Sequence, residues 1–498
     1  MAVLQWIFAS ILLLVALHNC FARKRNPKLP PTPPQLPIIG NLHQLGSSPH
    51  LSLHRLAKSF GPIIHLKLGQ IPTVVVSSPR MAEQVLKTHD LVLASRPRLF
   101  SATHLFYDCT DMVFAPYGDY WRMVRKICIL ELLSLKRVQS YACVREDEVD
   151  RLVRRVAAFC RQSGGGTANL TKALQLYATN LLCRTTLGKD FSEEGEFDKH
   201  GFQKMLDDYQ ALLGGFSVGD FFPSMEFVHA LSGMKSKLLD TFRRFDRFFD
   251  EVINEHLQPG RETEHKDLVG VLLALQKQGS EDTPLTMDNV KAIILDMFAA
   301  GIDTTLITLD WGMTELVTHP TIMEKAQAEV RGVVGERRTV MESDLPRLHY
   351  LRAVVKEILR LHPPVPMLVP RESMEDVTID GYEIPAKTRF YVNAWAVGRD
   401  AESWEEAERF EPERFLGKSI DFKGQDFELI PFGAGRRGCP GLSFGVASVE
   451  LALAQLLHSF DWELPPGIEV GDLDMREAFG ISMHRISDLI VVPKPRFQ

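Results

Sequence analysis

One cysteine, Cys439, lies in surroundings that could keep its sulfur ionised. Three of the six residues from 433 to 438 are glycine, which permits close backbone approach to a flat ligand. Backbone amides converging on the sulfur, the charge of Arg437 and the dipole of a helix predicted from about 442 to 460 favour a thiolate. A thiolate held in a rigid loop suits an iron ligand. A buried structural cysteine beside a turn is the alternative.

A second polar group, Asp303 with Thr304, interrupts an otherwise apolar segment. The pattern predicts a buried helix that begins after an N-cap at Thr286 and runs to about Thr318, before Pro320. An acid and hydroxyl groups inside such a helix are unfavourable unless they are bonded. They indicate either a local kink stabilised by threonine hydroxyls or a functional site. The composition of the segment does not separate the two.

The elements around these residues predict a mainly α-helical protein with small β-sheets. Helical apolar patterns dominate from about residue 51 onward. The β-rich pieces are residues 63–68 with 73–76, 377–379 with 390–393, and a third near 489–492. A further helix is predicted from about 345 to 361, where His362-Pro363-Pro364 ends it. Glu357 and Arg360 share one face of that helix.

The composition narrows the class of protein. The chain has 498 residues and a net charge of −6, which provides no global attraction to nucleic acid. Its seven cysteines form no C-x-x-C pair, and their number is odd. This usage argues against a disulfide framework or a zinc site and favours a reducing compartment.

The N-terminal residues predict a membrane anchor followed by a stiff linker. Residues 1–22 contain no charged side chain, and a helix of that length crosses a hydrocarbon core of ~30 Å. Basic residues follow at once, so we expect an uncleaved anchor with the rest of the chain in the cytosol. Residues 23–40 form a basic, Pro-rich linker. Residues 41–498 are expected to form one catalytic domain.

Motifs from about Leu29 to the C-terminus resemble those of the cytochrome P-450 family. The most specific is Phe-x-x-Gly-x-Arg-x-Cys-x-Gly, which residues 432–441 match without a gap. The other matching motifs are Trp121-x-x-x-Arg125, Ala300-Gly-x-Asp-Thr304, Glu357-x-x-Arg360, Pro370-Arg371 and Pro412-Glu-Arg-Phe415. The anchor, the Pro-rich hinge and residues 114–118 are similar to the plant microsomal A-type group.

The resemblance implies a P-450 fold that binds haem b, iron protoporphyrin IX, with Cys439 as the axial metal ligand. Phe432 would contact the cofactor as well. The contacts to the haem propionates would come from Trp121, Arg125, Arg371 and Arg437. A buried structural network around the cysteine loop would consist of Glu357, Arg360 and Arg414.

The resemblance also assigns roles to the central helix and to the pocket. Thr304 would hydrogen-bond dioxygen, and Asp303 would help to relay protons to it. A pocket for a lipophilic small molecule would be lined in part by Phe298, Ala300, Val369 and Ile481.

The activity that the resemblance implies is a monooxygenase of plant specialised metabolism at the endoplasmic reticulum membrane. Electrons would come from NADPH through a membrane reductase, docked on a basic run between Arg122 and Arg137. The alternatives are a haem-thiolate isomerase or dehydratase that works without dioxygen, and a non-catalytic haem protein. Asp303 and Thr304 favour the oxygenase.

Overall fold

A computed structural model describes residues 28–162, 166–190, 201–214, 217–258, 267–279, 285–478 and 480–497. The predicted transmembrane anchor, residues 1–22, and the first part of the linker lie outside the described residues. The fold is mainly helical with small sheets, as predicted.

Apolar stripes and capping residues set the positions and ends of the helices, which differ widely in length. The α-helices are α1 (Pro49–Phe60), α2 (Pro79–Glu83), α3 (Phe100–Leu105), α4 (Asp119–Ile127), α5 (Leu135–Ser140), α6 (Ala142–Gln162), α7 (Leu170–Leu187), α8 (Phe202–Gly214), α9 (Val218–Phe221), α10 (Val228–Leu231), α11 (Met234–His256), α12 (Leu268–Gln278), α13 (Met287–Thr318), α14 (Pro320–Val334), α15 (His349–Leu361), α16 (Ala394–Val397) and α17 (Leu442–Ser459). Shorter 3₁₀ or π turns include Gln84–Thr88, Cys128–Leu132, Glu342–Arg347, Pro412–Phe415 and Gly435–Arg437.

Within the described residues the strands form three small sheets. They are β1 (Ile63–Leu68), β2 (Ile71–Val76), β3 (Ala168–Asn169), β4 (Arg371–Glu372), β5 (Val377–Ile379), β6 (Tyr382–Ile384), β7 (Arg389–Val392), β8 (Phe460–Glu463) and β9 (Ile490–Pro495). The order β1-β2-β7-β4 builds the largest sheet, in which β2 and β7 are parallel and the other pairs antiparallel. The other sheets have the order β3-β9-β8 and the hairpin β5-β6. Arg371 enters the interior on β4, opposite Phe390.

Helix α13 has the predicted N-cap. The Thr286 hydroxyl accepts from the Asn289 amide at 3.2 Å, and the Asn289 side chain accepts from the Thr286 amide at 3.0 Å. The helix then continues without a break to Thr318, and it packs against α7, α15 and α17. Most of its residues are buried, but positions 299–301 and 303–304 are partly open. The polar segment therefore coincides with the place where this core helix meets a cavity.

Two of the described helices, α13 and α17, are long and apolar enough to cross a membrane, but most of each is buried inside the protein. Such burial is typical of core helices. Helix α17 matches its predicted bounds.

Helix α15 starts four residues later than predicted. Residues Glu342–Arg347 form a 3₁₀ turn that contains Pro346, and Leu348 has the non-helical angles φ −94° and ψ 76°. The chain therefore enters the α-helix only at His349. The helix ends at Leu361, before the two prolines, as predicted.

Candidate active site

A cavity of about 320 Å³ lies between α13 and the loop that carries Cys439. Most of its lining is apolar, and parts of α4, α13, β4 and the segment from 364 to 369 contribute to it. It brings together most of the residues that the sequence singled out: Trp121, Arg125, Ala300, Asp303, Thr304, Val369, Arg371, Phe432, Arg437, Cys439 and Ile481.

Phe298 is not among the residues that line this cavity. Its side chain is fully buried and faces Phe249 of α11, with a ring-centre distance of 6.4 Å. Phe298 is rotated by about 200° from Ala300 on the helix, and its ring packs toward α11 instead of the cavity. The prediction of a pocket role for Phe298 is wrong, and Ala299 lines the cavity instead.

The cysteine loop is held by its own backbone. The Cys439 amide donates to the Phe432 carbonyl at 2.9 Å, and the Gly438 amide donates to the Gly435 carbonyl at 3.0 Å. Gly435 has φ +68°, and a β-carbon there would lie 2.2 Å from the Leu86 carbonyl oxygen. Position 435 therefore requires glycine, because its φ is positive and because there is no room for a side chain.

The Cys439 sulfur is exposed to the cavity although protein surrounds the site on the other sides. Burial raises the pKa of the thiol, while the amides of Gly441 and Leu442 and the charge of Arg125 lower it. The amides at the start of α17 therefore offset part of the effect of burial but do not outweigh it, and the pKa of the Cys439 thiol stays raised. The cation that acts on the sulfur is Arg125 and not Arg437, because Arg437 is directed toward other segments.

Four arginine side chains line one part of the cavity: Arg96, Arg125, Arg371 and Arg437. Arg371 donates to Asp90 Oδ1 at 2.7 Å. Arg437 donates to the carbonyls of Ala94, Met112 and Ala115, and Arg125 donates to that of Gly438. Burial first, and then the charge of Arg371, lower the pKa of Arg437 to about 9.

Arg96 was missed by the sequence analysis. It donates to the carbonyls of Val113 at 2.9 Å, Val369 at 2.7 Å and Pro370 at 2.8 Å. Burial and the charges of Arg437 and Arg371 lower its pKa well below the usual range. No local motif could have indicated this role, because its acceptors come from distant parts of the chain.

The arrangement fits haem. Buried cations gathered with few carboxylates require an anionic partner, and the two propionates of haem are carboxylates that arginine binds well. The sulfur of Cys439 lines the same cavity as these cations. The apolar lining between them suits the porphyrin ring.

The polar segment of α13 borders the cavity. The hydroxyl of Thr304 donates to the Ala300 carbonyl at 2.6 Å, and that of Thr305 donates to the Gly301 carbonyl at 2.8 Å. Asp303 accepts from the Ser482 hydroxyl at 3.0 Å and lies 3.2 Å from His484 Nε2. The hydroxyls and the acid of this segment are thus all hydrogen-bonded, and the helix continues through it.

The buried network around α15 contains the three predicted residues. Arg360 donates to both carboxylate oxygens of Glu357, at 2.6 and 2.8 Å, and Arg414 donates to Glu357 Oε1 at 3.0 Å. Arg360 also donates to the carbonyls of Gly398 and Ala407. This network ties α15 to the segment that precedes the cysteine loop.

Comparison with known proteins gives a consistent result. The profile of the family "Cytochrome P450" matches residues 30–491. The protein "Cytochrome P450 71AP13" of Prunus mume is 70% identical over 488 residues, which cover 98% of this chain and 94% of that protein. "Phenylacetaldehyde oxime monooxygenase CYP71AN24", also of Prunus mume, is 47% identical over 98% of this chain and 93% of its own length.

Among solved structures, a structure of a zebrafish cytochrome P450 with progesterone superposes with a TM-score of 0.78 at 27% identity. The match covers 90% of this chain and 99% of that one.

Proposed function

The chain belongs to the cytochrome P450 family and is a monooxygenase, and we propose that it inserts one atom of dioxygen into a lipophilic small molecule of plant specialised metabolism. One observation carries the proposal. The Cys439 sulfur and the Asp303–Thr304 pair line the same apolar cavity, beside a cluster of buried arginines.

We assign Cys439 as the residue that would bind the iron of haem b, which Phe432 would contact and Trp121, Arg125, Arg371 and Arg437 would hold at its propionates. Arg96 joins this set because it lines the same part of the cavity. Haem, when bound, supplies dioxygen activation and substrate oxidation. The chain supplies the ligand, the cationic contacts and a site that excludes water.

Thr304 and Asp303 are proposed to deliver protons to dioxygen. The Thr304 hydroxyl can accept a proton from one side and donate from the other, and Asp303 can reload it. Both side chains line the cavity. An isomerase or dehydratase that works without dioxygen has no use for this pair, so the oxygenase is favoured.

The substrate is proposed to lie against α13 and the segments that contain Val369 and Ile481. The lining there is mostly apolar, with few polar groups. A lipophilic molecule fits such a surface. The relative named for phenylacetaldehyde oxime supports an assignment to specialised metabolism.

Electrons are proposed to come from NADPH through a membrane reductase of the endoplasmic reticulum, with residues 1–22 as the anchor and the catalytic domain on the cytoplasmic side. The basic run divides in two: Arg125 faces the cavity, whereas Arg122, Lys126 and Lys136 are exposed. The exposed cations are available to dock an acidic partner.

The test is the carbon monoxide difference spectrum of the reduced protein. The wild type should give the strongly red-shifted Soret band of thiolate-ligated haem, and Cys439→Ser should lose it. Cys143→Ser, which changes an exposed cysteine on α6, is the matched control and should keep the band. A wild type without the red shift, or a Cys439→Ser variant that retains it, would refute Cys439 as the ligand.

A further inference from the structure

A second cavity, of about 370 Å³, lies on another side of α13, and about half of its surface is polar, so we call it the polar cavity. Its lining includes Asp207, Asp310, His484 and Arg485. Asp303 lines both this cavity and the one that contains Cys439. The Asp303 carboxylate therefore stands at the boundary between a polar space and the proposed site of oxygen chemistry.

His484 meets Asp303 from the polar side. Its Nε2 lies 3.2 Å from Asp303 Oδ2, and its side chain is 35% exposed, against 14% for that of Asp303. His484 lines the polar cavity and is not among the residues that line the apolar one. The imidazole can thus exchange protons with solvent on one side and with the carboxylate on the other.

The charges around His484 favour its protonated form. Burial opposes that form, but the hydrogen bond with Asp303 and the charges of Asp303, Asp310 and Asp207 outweigh it and raise the pKa of His484. Arg485 Nη1 lies 3.8 Å from Asp310 Oδ2 and offsets part of this negative charge. Asp488 adds a further carboxylate to the cavity wall.

We propose that His484 is a positioning residue that holds Asp303 and reloads it with protons taken up through the polar cavity. This inference rests on the proposed function of Asp303. In the step, the proton on Nε2 of the imidazolium moves to Asp303 Oδ2, which leaves a neutral imidazole and a carboxylic acid. The acid passes its proton toward Thr304, and a proton from solvent restores the imidazolium. The electrons that reduce the second oxygen atom to water come from the reductant of the monooxygenase reaction.

The contact is tested by nitrogen-15 NMR of labelled histidines in the reduced, carbon monoxide-bound holoenzyme. The His484 signal is identified by its absence in His484→Gln. Its pKa should fall when Asp303→Asn removes the carboxylate. An unchanged pKa would show that the two groups do not interact and would overturn the inference.

Proton delivery is tested without a substrate, by the share of NADPH electrons that the holoenzyme and reductase release as hydrogen peroxide. Poor delivery should divert electrons to peroxide at the expense of water. His484→Gln keeps a hydrogen-bond donor but cannot carry a proton between two groups, so it should raise the peroxide share several-fold. His484→Lys retains a protonated nitrogen. Its peroxide share should therefore lie between that of the wild type and that of His484→Gln.

The matched control is His319→Gln, a partly exposed histidine beyond the C-terminal end of α13. His319→Gln should change neither the pKa of His484 nor the share of electrons released as peroxide. If Asp303→Asn does not alter the peroxide share, the proposed function of Asp303 fails. If Asp303→Asn raises the share and His484→Gln does not, only the inference on His484 fails.

Discussion

Arg437 stacks on Trp121, with the guanidinium carbon 4.1 Å from the ring centre. The same guanidinium donates to the carbonyls of Ala94 at 2.7 Å, Met112 at 3.2 Å and Ala115 at 2.6 Å. The indole nitrogen of Trp121 also donates to the Met112 carbonyl, at 2.9 Å. One arginine therefore joins the cysteine loop to α4 and to two segments before it.

Arg437→Ala should weaken haem retention and stability together. The substitution leaves up to three buried carbonyls without this donor, at about 1–3 kcal/mol for each group that stays unpaired. We expect the unfolding free energy to fall by at least about 2 kcal/mol, with haem lost during gel filtration. The control is Arg436→Ala, which changes the neighbouring side chain, 51% exposed. It should neither lower the unfolding free energy nor release haem. Full haem retention in Arg437→Ala would contradict the assignment.

Glu357→Ala should destabilise the protein strongly. It leaves Arg360 and Arg414 buried without their shared carboxylate, and breaking a buried ion pair in this way costs about 3–5 kcal/mol. Chemical denaturation followed by far-UV circular dichroism measures the change. The control, Glu406→Ala, breaks the exposed pair with Arg409 and should change stability by less than about 1 kcal/mol. Equal effects of the two variants would show that the network is not structural.

Local signals predicted much of the fold and the site, because they depend on neighbouring residues. The cap at Thr286 and the two prolines after His362 set helix ends, and both appear where predicted. The start of α15 was placed too early, since the apolar pattern continues through the 3₁₀ turn that contains Pro346. A pattern of hydrophobicity alone does not separate these two helix types.

Contacts between distant segments could not be predicted. Arg96 binds carbonyls of residues 113, 369 and 370, and no sequence motif specifies a backbone acceptor. His484 reaches Asp303 only because the segment after α17 folds back against α13. Phe298 was assigned to the pocket by its position in the chain, whereas the helical rotation directs it to the opposite side.

A buried pair of acids predicts a pH dependence of stability. Asp111 and Asp296 are buried near each other, and their Oδ2 atoms accept backbone amides, from Phe114 at 2.8 Å and Met112 at 2.7 Å respectively. Burial raises the pKa of Asp111 to about 6. Burial and the charge of Asp111 raise the pKa of Asp296 well above its usual range. The pair is thus expected to share a proton.

Both pKa values are higher in the folded protein than in the unfolded chain. Proton binding therefore stabilises the folded state, and this effect is complete below about pH 4. It is lost as the pH rises through about 6. At about 1.4 kcal/mol per pKa unit, the loss is on the order of 3 kcal/mol. Asp111→Asn removes the carboxyl whose pKa is about 6 and should flatten the decline in unfolding free energy between pH 5 and pH 8, measured by urea denaturation. Asp119→Asn, at an exposed position, should retain the wild-type slope, and a wild-type slope in Asp111→Asn would refute the raised pKa of Asp111.

Gly435→Ala should disrupt the cysteine loop. A β-carbon at this position would lie 2.2 Å from the Leu86 carbonyl oxygen and 2.5 Å from Asp90 Oδ1, and the φ of +68° is itself unfavourable by about 1–2 kcal/mol for alanine. We expect the red-shifted carbon monoxide band to be lost and the melting temperature to fall. Gly332→Ala is the matched control, since its β-carbon would meet no atom within 4 Å in the interior of α14. That variant should keep the band and gain up to about 1 kcal/mol, because alanine favours helix over glycine. A Gly435→Ala protein with a normal band would mean that the loop tolerates displacement and that its glycines are not required to present Cys439.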